Sequence, residues 1–433
     1  MAAHCFDATT FVGPCNHKAR GQHHNPPAPG RSHYLKIKRK QVCNKFFIGM
    51  KRIHTILIIL LLAVTYGEAK KSSDDRQMDD FITSLMKKMT LEEKIGQLNL
   101  GGVGSPKVVG SAIGLDEAIR KGLVSSVGGF DAKAAEDAQK FAVENSRMKI
   151  PLITGLDVVH GYYTIFPIPL ASACSWNMPL LEESARVAAD EASAFGINWT
   201  FAPMVDICRD PRWGRIAEGA GEDPCLGSRI GRAMVRGFQG DDLSKPNTLL
   251  ACVKHFALYG ASEAGRDYNT VSMDPVTMYN YYLPPYKAAF DEGAGSGMTS
   301  FNVVNGVPAT GNKWLLTDLL RDQWKFKGFM VSDANSLAEM SEHGMGGAQR
   351  ITELAMNAGL DMDMSSSLYV LCLKKAVEEK RVPLSRIDAA CRRVLEAKYK
   401  LGLFEDPFRY LKNKQRQSQV LSPQNRDVAR RLA

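Results

Sequence analysis

The chain has 433 residues, of which 45% are apolar and 8% aromatic, and its formal net charge is +9. This apolar content is typical of a globular protein with a sizeable core and excludes a chain that is disordered throughout. The positive charge gives no reason to expect a nucleic-acid partner. Residues 1–52 hold ten of the 55 Lys and Arg and one of the 46 acidic residues, so the remainder of the chain is neutral.

Residues 50–69 have the pattern of a secretory signal peptide. A short basic segment follows Met50, residues 56–64 form an apolar run, and residues 67–69 offer small side chains for cleavage. The apolar run is too short to span a bilayer as a mature helix. We therefore expect a periplasmic or secreted protein with no stable membrane span, and we interpret residues 1–49 as an upstream extension that does not fold alone. A cytoplasmic basic tail before a membrane anchor is the alternative.

Beyond the first 52 residues, six cysteines are spread along the chain at Cys174, Cys208, Cys225, Cys252, Cys372 and Cys391. None belongs to a C-x-x-C pair, so we predict no zinc site, and no cofactor motif is present. Asp361 and Asp363 superficially resemble a metal-binding pair, but we interpret them as polar residues at a strand end. In an oxidising compartment Cys208 and Cys225 could pair, and buried free thiols are the alternative.

From about residue 79, short apolar runs alternate with amphipathic helical patterns. Residues 79–89 and 91–98 are predicted to be helices, with Thr90 and Glu93 forming a capping box. The predicted strands are Leu98–Gly101, Val124–Gly129, Leu152–Asp157, Asn198–Ala202, Leu249–His255, Gly297–Asn302, Gly328–Asp333 and Gly359–Met364. Helices predicted between them include 134–145, 180–194, 274–292, 347–358 and 385–401.

Strands that alternate with helices indicate a parallel sheet covered by helices. Eight such units in roughly 300 residues fit a (β/α)8 TIM-type barrel, which is an α/β fold. A doubly wound open sheet is the alternative, but no glycine-rich dinucleotide motif follows the first strand. We expect the barrel to occupy residues 70–411 and a polar linker to occupy residues 412–433. Because the chain stops inside a helix-like run, we expect it to be cut before a second domain.

Polar residues stand where four of the predicted strands end: Asp157, Lys254 with His255, Asn302 and Asp333. In a barrel of this kind the active site lies at the carboxyl ends of the strands, so these side chains are candidates for it. An ionised aspartate suits the nucleophile of a retaining glycoside hydrolase. The alternatives are that Asp333 caps the following helix and that His255 is a core histidine.

The loop Arg209–Arg215 is dense in functional groups, with three Arg, one Trp and one Asp in seven residues. Guanidinium groups and an aromatic platform suit ligand recognition. A surface loop held by ion pairs to Glu218, Glu222 and Asp223 is the alternative.

Several motifs occur together in an order that resembles glycoside hydrolase family 3, and within it the periplasmic β-glucosidase group. The resemblance covers about residues 79–411. It rests on Leu85-Met-Lys-Lys-Met-Thr-Leu-Glu-Glu-Lys-Ile-Gly-Gln97, Asp157-Val-Val-His-Gly161, Ala202-Pro-Met-Val-Asp206, Arg209-Asp-Pro-Arg-Trp-Gly-Arg215, Gly221-Glu-Asp223, Val253-Lys-His-Phe256, Asn302-Val-Val-Asn-Gly306 and Val331-Ser-Asp333.

The resemblance implies a retaining, two-step hydrolysis of terminal non-reducing β-D-glucosyl residues from β-glucosides and oligosaccharides. It implies that Asp333 attacks the anomeric carbon and that Asp157 grips hydroxyls at the far side of the sugar. Arg215, Lys254 and His255 match the family's other sugar-binding positions. Charge-assisted hydrogen bonds to neighbouring hydroxyls would fix the ring for attack.

The resemblance also assigns supporting roles and leaves gaps. Asp210 and Glu222 are expected to orient the Arg side chains. The family's acid/base Glu comes from a second α/β sandwich domain, so we assign none here and expect weakened activity without that domain. Ala334 follows the nucleophile where many relatives have a bulky residue, and Phe301 stands where some fungal relatives have a Tyr.

Four alternatives stay open. The first is a β-xylosidase or exo-glucanase of the same family. A family β-N-acetylglucosaminidase is disfavoured, since Lys254-His-Phe-Ala-Leu-Tyr-Gly260 lacks the second His of K-H-F-P-G-H-G. The third is a catalytically silent barrel that binds carbohydrate. The fourth is a Schiff-base aldolase that uses Lys254, because a barrel lysine at a strand end suits that chemistry.

Overall fold

Ten short strands are present in the part of the chain that the computed structural model describes, which is residues 74–433 apart from 103–113, 129–131 and 413. The predicted signal peptide and upstream extension lie outside these residues. In chain order the strands are β1 (Asn99–Gly102), β2 (Ser126–Gly128), β3 (Ile153–Leu156), β4 (Trp199–Thr200), β5 (Leu250–Phe256), β6 (Ser296–Thr299), β7 (Val303–Val304), β8 (Val307–Pro308), β9 (Phe329–Val331) and β10 (Asp363–Met364).

Eight of these strands form one parallel sheet in the order β10-β1-β2-β3-β4-β5-β6-β9, while β7 and β8 form a separate antiparallel hairpin. A parallel bridge between Val331 and Met362 joins the two ends of the sheet. Next to it, the Ser332 N–H donates to the Met362 carbonyl oxygen over 2.9 Å. The sheet therefore closes into the predicted (β/α)8 barrel, and the open doubly wound alternative is wrong.

Helices cover the outside of the sheet. They are α1 (74–87), α2 (Leu91–Gly96), α3 (Leu115–Arg120), α4 (Ala132–Asn145), α5 (Pro169–Ala173), α6 (Met178–Ala194), α7 (Pro224–Gln239), α8 (Pro275–Thr277), α9 (Pro284–Asp291), α10 (Ser336–Glu339), α11 (Ala348–Ala358), α12 (Leu368–Glu378), α13 (Leu384–Lys400), α14 (Lys414–Gln417) and α15 (Pro423–Leu432). Two π-helical segments, Met278–Tyr282 and Trp314–Gln323, complete the set. None of the helices in the described residues is both long enough and apolar enough to cross a membrane.

The predicted capping box at the start of α2 is confirmed. The Glu93 N–H donates to Thr90 Oγ1 over 3.2 Å, and the Thr90 N–H donates to Glu93 Oε2 over 2.9 Å. Each side chain thereby satisfies a backbone donor that the first helical turn leaves free.

Two predicted elements are interrupted by proline. The helix predicted over 274–292 is divided into α8, the π segment and α9, and Pro284 and Pro285 open the last piece. Proline has no N–H to donate to the preceding turn, so a continuous α-helix cannot pass through this pair. The strand predicted to end at Ala202 is limited to two residues, and Pro203 lacks the N–H that would extend its ladder.

The interior of the barrel is filled by large apolar side chains. Trp199 of β4 packs edge to face on Phe201, two residues later, with ring centroids 4.8 Å apart. Trp199 also packs against Phe329 of β9. Gly155 of β3 faces this cluster, where an added Cβ would lie 2.6 Å from the Phe201 ring. The glycine therefore gives Phe201 the room to fill the barrel.

The six cysteines in the described residues are free thiols. Cys208 is buried while Cys225 is exposed, so the Cys208–Cys225 pairing that the sequence left open is not formed.

The segment 412–433, which the sequence predicts to be a linker, packs against α6. Val428 and Leu432 of α15 are buried beside Leu180 and Leu181 of α6. The helix-like run expected at the end of the chain is the helix α15, which Ser422 caps by accepting from the Asn425 N–H.

Glu191 of α6 joins this segment to a distant loop. The carboxylate of Glu191 is buried and accepts from the N–H groups of Tyr163 and Thr164, which lie a few residues beyond β3. The same carboxylate accepts from the Leu421 N–H and from the Asn425 amide over 2.8 Å. Burial opposes ionisation, but these hydrogen bonds lower the pKa of Glu191.

Candidate active site

The carboxyl ends of β3, β5 and β9 bring four of the predicted site residues together. Asp157 follows β3, Lys254 and His255 lie in the last part of β5, and Asp333 follows β9. An ion pair joins Asp157 to Lys254, and Asp333 lies beside His255. The fifth predicted residue, Arg215, reaches the group from the loop after β4. This cluster is called the mouth below.

Asp333 is the most enclosed carboxylate of the mouth, with 13% of its side chain exposed. Its Oδ1 atom accepts from the Ala334 N–H over 2.7 Å. Its Oδ2 atom is buried and has no hydrogen-bond donor among the described residues. Burial raises the pKa of Asp333, while the neighbouring His255, Lys254 and Arg215 and the Ala334 N–H act in the opposite direction. One oxygen is therefore anchored and the other is left free for a ligand.

Lys254 and Asp157 form an ion pair in which the two side chains differ in access to solvent. The Lys254 Nζ to Asp157 Oδ1 distance is 2.5 Å, and the exposed fractions are 4% for Lys254 and 57% for Asp157. The lysine is thus buried, while the carboxylate that it binds reaches the opening. Together they present a donor and an acceptor, which is the combination that vicinal sugar hydroxyls require.

His255 is fixed from behind by a buried acceptor. Asp206 Oδ2 lies 2.9 Å from both the backbone N and the Nδ1 atom of His255. The Tyr286 hydroxyl donates to Asp206 and lies 2.8 Å from the His255 carbonyl oxygen. On its open side, His255 Nε2 lies 3.5 Å from Asp333 Oδ2. The core-histidine alternative is therefore correct in that the ring is buried, but the ring also borders the mouth.

Arg215 is held in a fork by Glu218. Its Nε and Nη2 atoms donate to the two carboxylate oxygens over 2.7 and 2.9 Å, and Nη2 is 3.1 Å from His255 Nε2. Burial works against the charged form, but the Glu218 carboxylate raises the pKa of Arg215. The predicted partner Glu222 is wrong for Arg215, since Glu218 lies three residues on, at the end of a short 3-10 turn, and meets the guanidinium directly.

The rest of the Arg209–Arg215 loop does not enter the mouth. Arg212 pairs with Asp210, as predicted for that acid, and both lie on the outer side. Arg209 stacks over the ring of Tyr281. Trp213 is 1% exposed, and its Nε1 donates to Asp267, so the predicted aromatic platform is wrong for this residue.

An aromatic group forms one rim of the mouth. Tyr268 is 48% exposed and packs on Phe301, with ring centroids 4.6 Å apart. Tyr259, which is buried, lies between Phe301 and His255. The pKa of Tyr268 is raised by burial and by the negative charges of Asp267, Glu339 and Asp333. Tyr268 is therefore an exposed aromatic residue within electrostatic range of the candidate nucleophile.

Glu339 is a second carboxyl group near Asp333 that the sequence analysis did not single out. It ends α10, six residues after Asp333. Burial raises the pKa of Glu339, and the charge of Asp333 adds to that effect. Because the charge of Asp333 raises the pKa of Glu339, the two carboxyl groups lie within electrostatic range of one another.

Asn302, the remaining strand-end candidate, is a structural tether. It is buried and its Nδ2 donates to the Ala257 carbonyl oxygen over 3.4 Å. This bond ties the segment after β6 to the segment after β5.

The sequence profile described as "Glycosyl hydrolase family 3 N terminal domain" matches residues 90–397. The chain belongs to glycosyl hydrolase family 3. The family and the barrel fold of this chain are those that the resemblance implied.

Similar proteins share this family. A periplasmic beta-glucosidase of Salmonella typhimurium is 43% identical over 77% of this chain and 43% of its own length. A putative beta-xylosidase of Formosa agariphila is 32% identical over 79% of this chain and 48% of its own length. The structure of a beta-glucosidase from Listeria innocua in complex with isofagomine superposes with a TM-score of 0.77 at 42% identity, covering 82% of this chain and 50% of that one. The family 3 chain thus spans about half the length of these relatives.

The acidic pair of the family 3 barrel that superficially resembles a metal site is divided between different partners. Asp361 binds Arg321 and Arg393, whereas both oxygens of Asp363 accept from the Ser366 hydroxyl. Within the described ranges, no group of three or more His, Cys, Asp or Glu side chains is arranged to hold a metal ion.

Sequence reasoning missed Asp206, Tyr286 and Glu339, and it named Glu218 only as an ion-pair partner in the surface-loop alternative. A signal existed for Asp206, because it ends the quoted motif Ala202-Pro-Met-Val-Asp206 and follows an apolar run. For Tyr286 and Glu339, only the folded structure reveals the contact.

Proposed function

We propose that this chain carries the nucleophile and the sugar-binding residues of a retaining β-glucosidase that acts on terminal non-reducing β-D-glucosyl residues. The observation that carries the proposal is Asp333: a largely enclosed carboxylate with one oxygen anchored by the Ala334 N–H and the other buried and without a protein donor in the described part of the chain. It points into a cluster of side chains suited to hydroxyl groups. The names of the relatives support glucose as the sugar.

In the first step, Asp333 Oδ2 attacks the anomeric carbon and forms an ester bond, while the bond from that carbon to the leaving oxygen breaks with its electron pair. The leaving oxygen takes a proton from a general acid. In the second step, the general acid, now deprotonated, takes a proton from a water molecule as the water oxygen attacks the same carbon; the ester bond breaks with its electron pair going to Asp333, which regains its negative charge. Two inversions at one carbon give net retention.

Asp157, Lys254, His255 and Arg215 hold the sugar for this attack. Asp157 and Lys254 offer an acceptor and a donor side by side, 2.5 Å apart. Fixing the ring by several charge-assisted bonds converts the attack into an effectively unimolecular step. The bonds of Lys254 and Arg215 to Asp157 and Glu218 keep these donors in place before the substrate arrives.

For the general acid we propose a Glu from a second α/β sandwich domain, as the family resemblance implies. Removing a general acid costs about 10²–10⁴-fold in rate for leaving groups that need protonation. Substrates that release a stable phenolate escape this cost. Without such a domain, the barrel is therefore expected to act best on activated aryl glucosides.

A β-xylosidase is the second candidate, because relatives named beta-xylosidase are 32% identical to the chain. A xyloside lacks the hydroxymethyl group of a glucoside. Relative rates on dinitrophenyl glucoside and dinitrophenyl xyloside separate the two candidates, and we expect the glucoside to react faster.

The experiment that tests the proposal is trapping with a 2-deoxy-2-fluoro-β-glucoside that carries a dinitrophenolate leaving group, read by peptide mass spectrometry. This leaving group needs no general acid, so a second domain does not confound the result. We expect the label on Asp333, and the Asp333→Asn variant should take up none. A folded chain that stays unlabelled would refute the nucleophile and favour a barrel that binds carbohydrate without turnover.

We further propose that the protein is exported and acts in the periplasm or outside the cell. The signal-peptide pattern at residues 50–69 supports this, as does the similarity to a relative named periplasmic. Cell fractionation with N-terminal sequencing of the mature chain tests it, and a start near residue 70 is expected. A cytoplasmic chain with an intact residue 50–69 segment would contradict it.

A further inference from the structure

The Asp206 carboxylate takes no part in the mechanism above and lies wholly out of solvent. Its side chain is 0% exposed. Oδ2 accepts from the backbone N–H and from the Nδ1 side of His255, both over 2.9 Å, and Oδ1 accepts from the Tyr286 hydroxyl. A buried carboxylate is costly unless its oxygens are hydrogen-bonded, and here they are. Its position behind the imidazole gives it control over that ring.

The two neighbours of the His255 ring fix where its proton resides. An ionised carboxylate only accepts hydrogen bonds, so Nδ1 must carry the hydrogen that meets Asp206. A guanidinium only donates, so Nε2, 3.1 Å from Arg215 Nη2, must present its lone pair. Both neighbours therefore require the same neutral form of the ring, protonated on Nδ1 and bare on Nε2.

This assignment decides what Asp333 meets. Nε2 lies 3.5 Å from Asp333 Oδ2, and a bare nitrogen cannot donate to that oxygen. Asp333 Oδ2 accordingly has no donor in the described residues. If the proton were on Nε2, it would point at Oδ2, stabilise the carboxylate and compete with its attack on a sugar. It would also meet the N–H of Arg215 head on.

We propose that Asp206 is a positioning residue that selects the Nδ1–H tautomer of His255 and thereby keeps Asp333 Oδ2 free of an N–H donor. The role rests on the proposed function of Asp333 as the nucleophile. Asp206 acts through His255 and touches no substrate.

Two substitutions separate acceptor chemistry from packing. Leucine in Asp206→Leu has a similar size but cannot accept, so a proton on Nδ1 finds no partner while a proton on Nε2 finds the Asp333 carboxylate. Asparagine in Asp206→Asn can keep its carbonyl oxygen towards His255 and turn its amide towards the Tyr286 oxygen, which then donates to the His255 carbonyl. We expect Asp206→Leu to move the proton to Nε2 and Asp206→Asn to leave it on Nδ1.

The first measurement is the ring ¹⁵N spectrum of the histidine-labelled protein, with His255 assigned from a His255→Asn variant. We expect an unprotonated Nε2 and a protonated Nδ1 in the wild type and in Asp206→Asn. A protonated Nε2 in the wild type would overturn the proposal, whether or not Asp206→Leu folds. This readout does not depend on activity.

The second measurement is the kinetics of trapping by the fluoro-glucoside. In folded Asp206→Leu we expect the inactivation rate constant to fall about 10–100-fold with little change in the saturation constant, since sugar contacts remain while the nucleophile is masked. Asp206→Asn should stay within about threefold of the wild type, as its Nδ1 acceptor is kept. A folded Asp206→Leu that reacts at the wild-type rate would contradict the role. If the wild type itself is not labelled, the proposed function fails, and the ¹⁵N spectrum still decides the tautomer.

Discussion

At the end of the barrel where the strands begin, the Asp361 carboxylate has a donor for each oxygen. Oδ1 accepts from Arg393 over 2.7 Å, and Oδ2 accepts from Arg321 over 2.6 Å and from the Met330 N–H over 2.7 Å. At the opposite end, Asp333 is also largely enclosed, with 13% of its side chain exposed against 1% for Asp361, but it leaves Oδ2 without a protein donor among the described residues. The difference teaches that enclosure alone does not distinguish the structural carboxylate from the proposed nucleophile, whereas the number of hydrogen-bond donors does.

The same contrast holds for the lysines. Lys254 at the mouth forms an ion pair with Asp157, whose side chain is exposed at the opening. Lys398 near the start of β1 is wholly buried, its Nζ bonded to Gln97 Oε1 over 2.7 Å, and burial lowers its pKa to about 7. Lys398 therefore packs inside the protein against a neutral amide and is not exposed to a substrate.

The largest expected effect comes from removing the open carboxylate. For Asp333→Ala we expect hydrolysis of dinitrophenyl glucoside to fall at least about 10³-fold, because the nucleophile is gone. The free energy of unfolding should stay within about 1 kcal/mol or rise, since a buried and incompletely bonded carboxylate is relieved. Steady-state rates and urea denaturation measure the two quantities. If Asp333→Ala lost stability but kept the wild-type rate, Asp333 would be a structural carboxylate like Asp361, and the contrast between the two ends would be wrong.

The matched change at the other end is Asp361→Ala. Removing one partner of buried ion pairs leaves Arg321 and Arg393 uncompensated, so we expect the free energy of unfolding to fall by about 3–5 kcal/mol. The rate per folded molecule should change less than about twofold, which denaturation curves and active-site titration check together. A rate loss comparable to that of Asp333→Ala would show that the two ends do not have separate roles.

The substitution Lys398→Met is expected to stabilise the protein, in contrast to Asp361→Ala. Because the folded pKa of Lys398 is about 7 against an ordinary value of 10.5, the folded protein binds fewer protons, and stability rises as the pH increases from 7 towards 10. Methionine removes this cost, so the free energy of unfolding at pH 7 should rise by about 1–3 kcal/mol and its slope between pH 7 and 10 should flatten. The exposed Lys400→Met serves as the control, with neither change expected.

The smallest effect concerns the pH dependence at the mouth. Burial raises the pKa of Asp333 and Lys254 opposes that rise, so Lys254→Met should raise the pKa of Asp333 further. Attack requires the ionised carboxylate, and the acidic limb of the trapping rate should therefore move to higher pH. The control is Arg212→Met on the outer side, for which the limb should not move. A limb that moves to lower pH in Lys254→Met would contradict the electrostatic account.

The barrel was predictable because parallel strands end in a shared opening. If the apolar runs before Asp157, Lys254 and Asp333 are strands of a parallel barrel, their carboxyl ends must lie together at one end of that barrel. Strand lengths were predicted less well, since Pro203 limits the ladder after β4 for reasons of backbone chemistry.

The loop after β4 was the least predictable part of the site. Whether Glu218 or Glu222 meets Arg215 depends on the 3-10 turn at Ile216–Glu218, and no periodic pattern announces that turn. Trp213 is buried because Tyr259 packs against it and Asp267 binds its N–H, both from a loop more than 40 residues away. Composition identified residue types that suit ligand binding but not the directions of their side chains.

The Glu191 carboxylate has a consequence for how the protein opens. It bonds at once to Tyr163 and Thr164 beyond β3 and to Leu421 and Asn425 before and within α15. Detaching either segment removes part of the hydrogen bonding that stabilises this carboxylate inside the protein. The stretch after β3 and the C-terminal segment are therefore coupled through one side chain, and we expect faster amide exchange in one of them when the bonds of the other to Glu191 are lost.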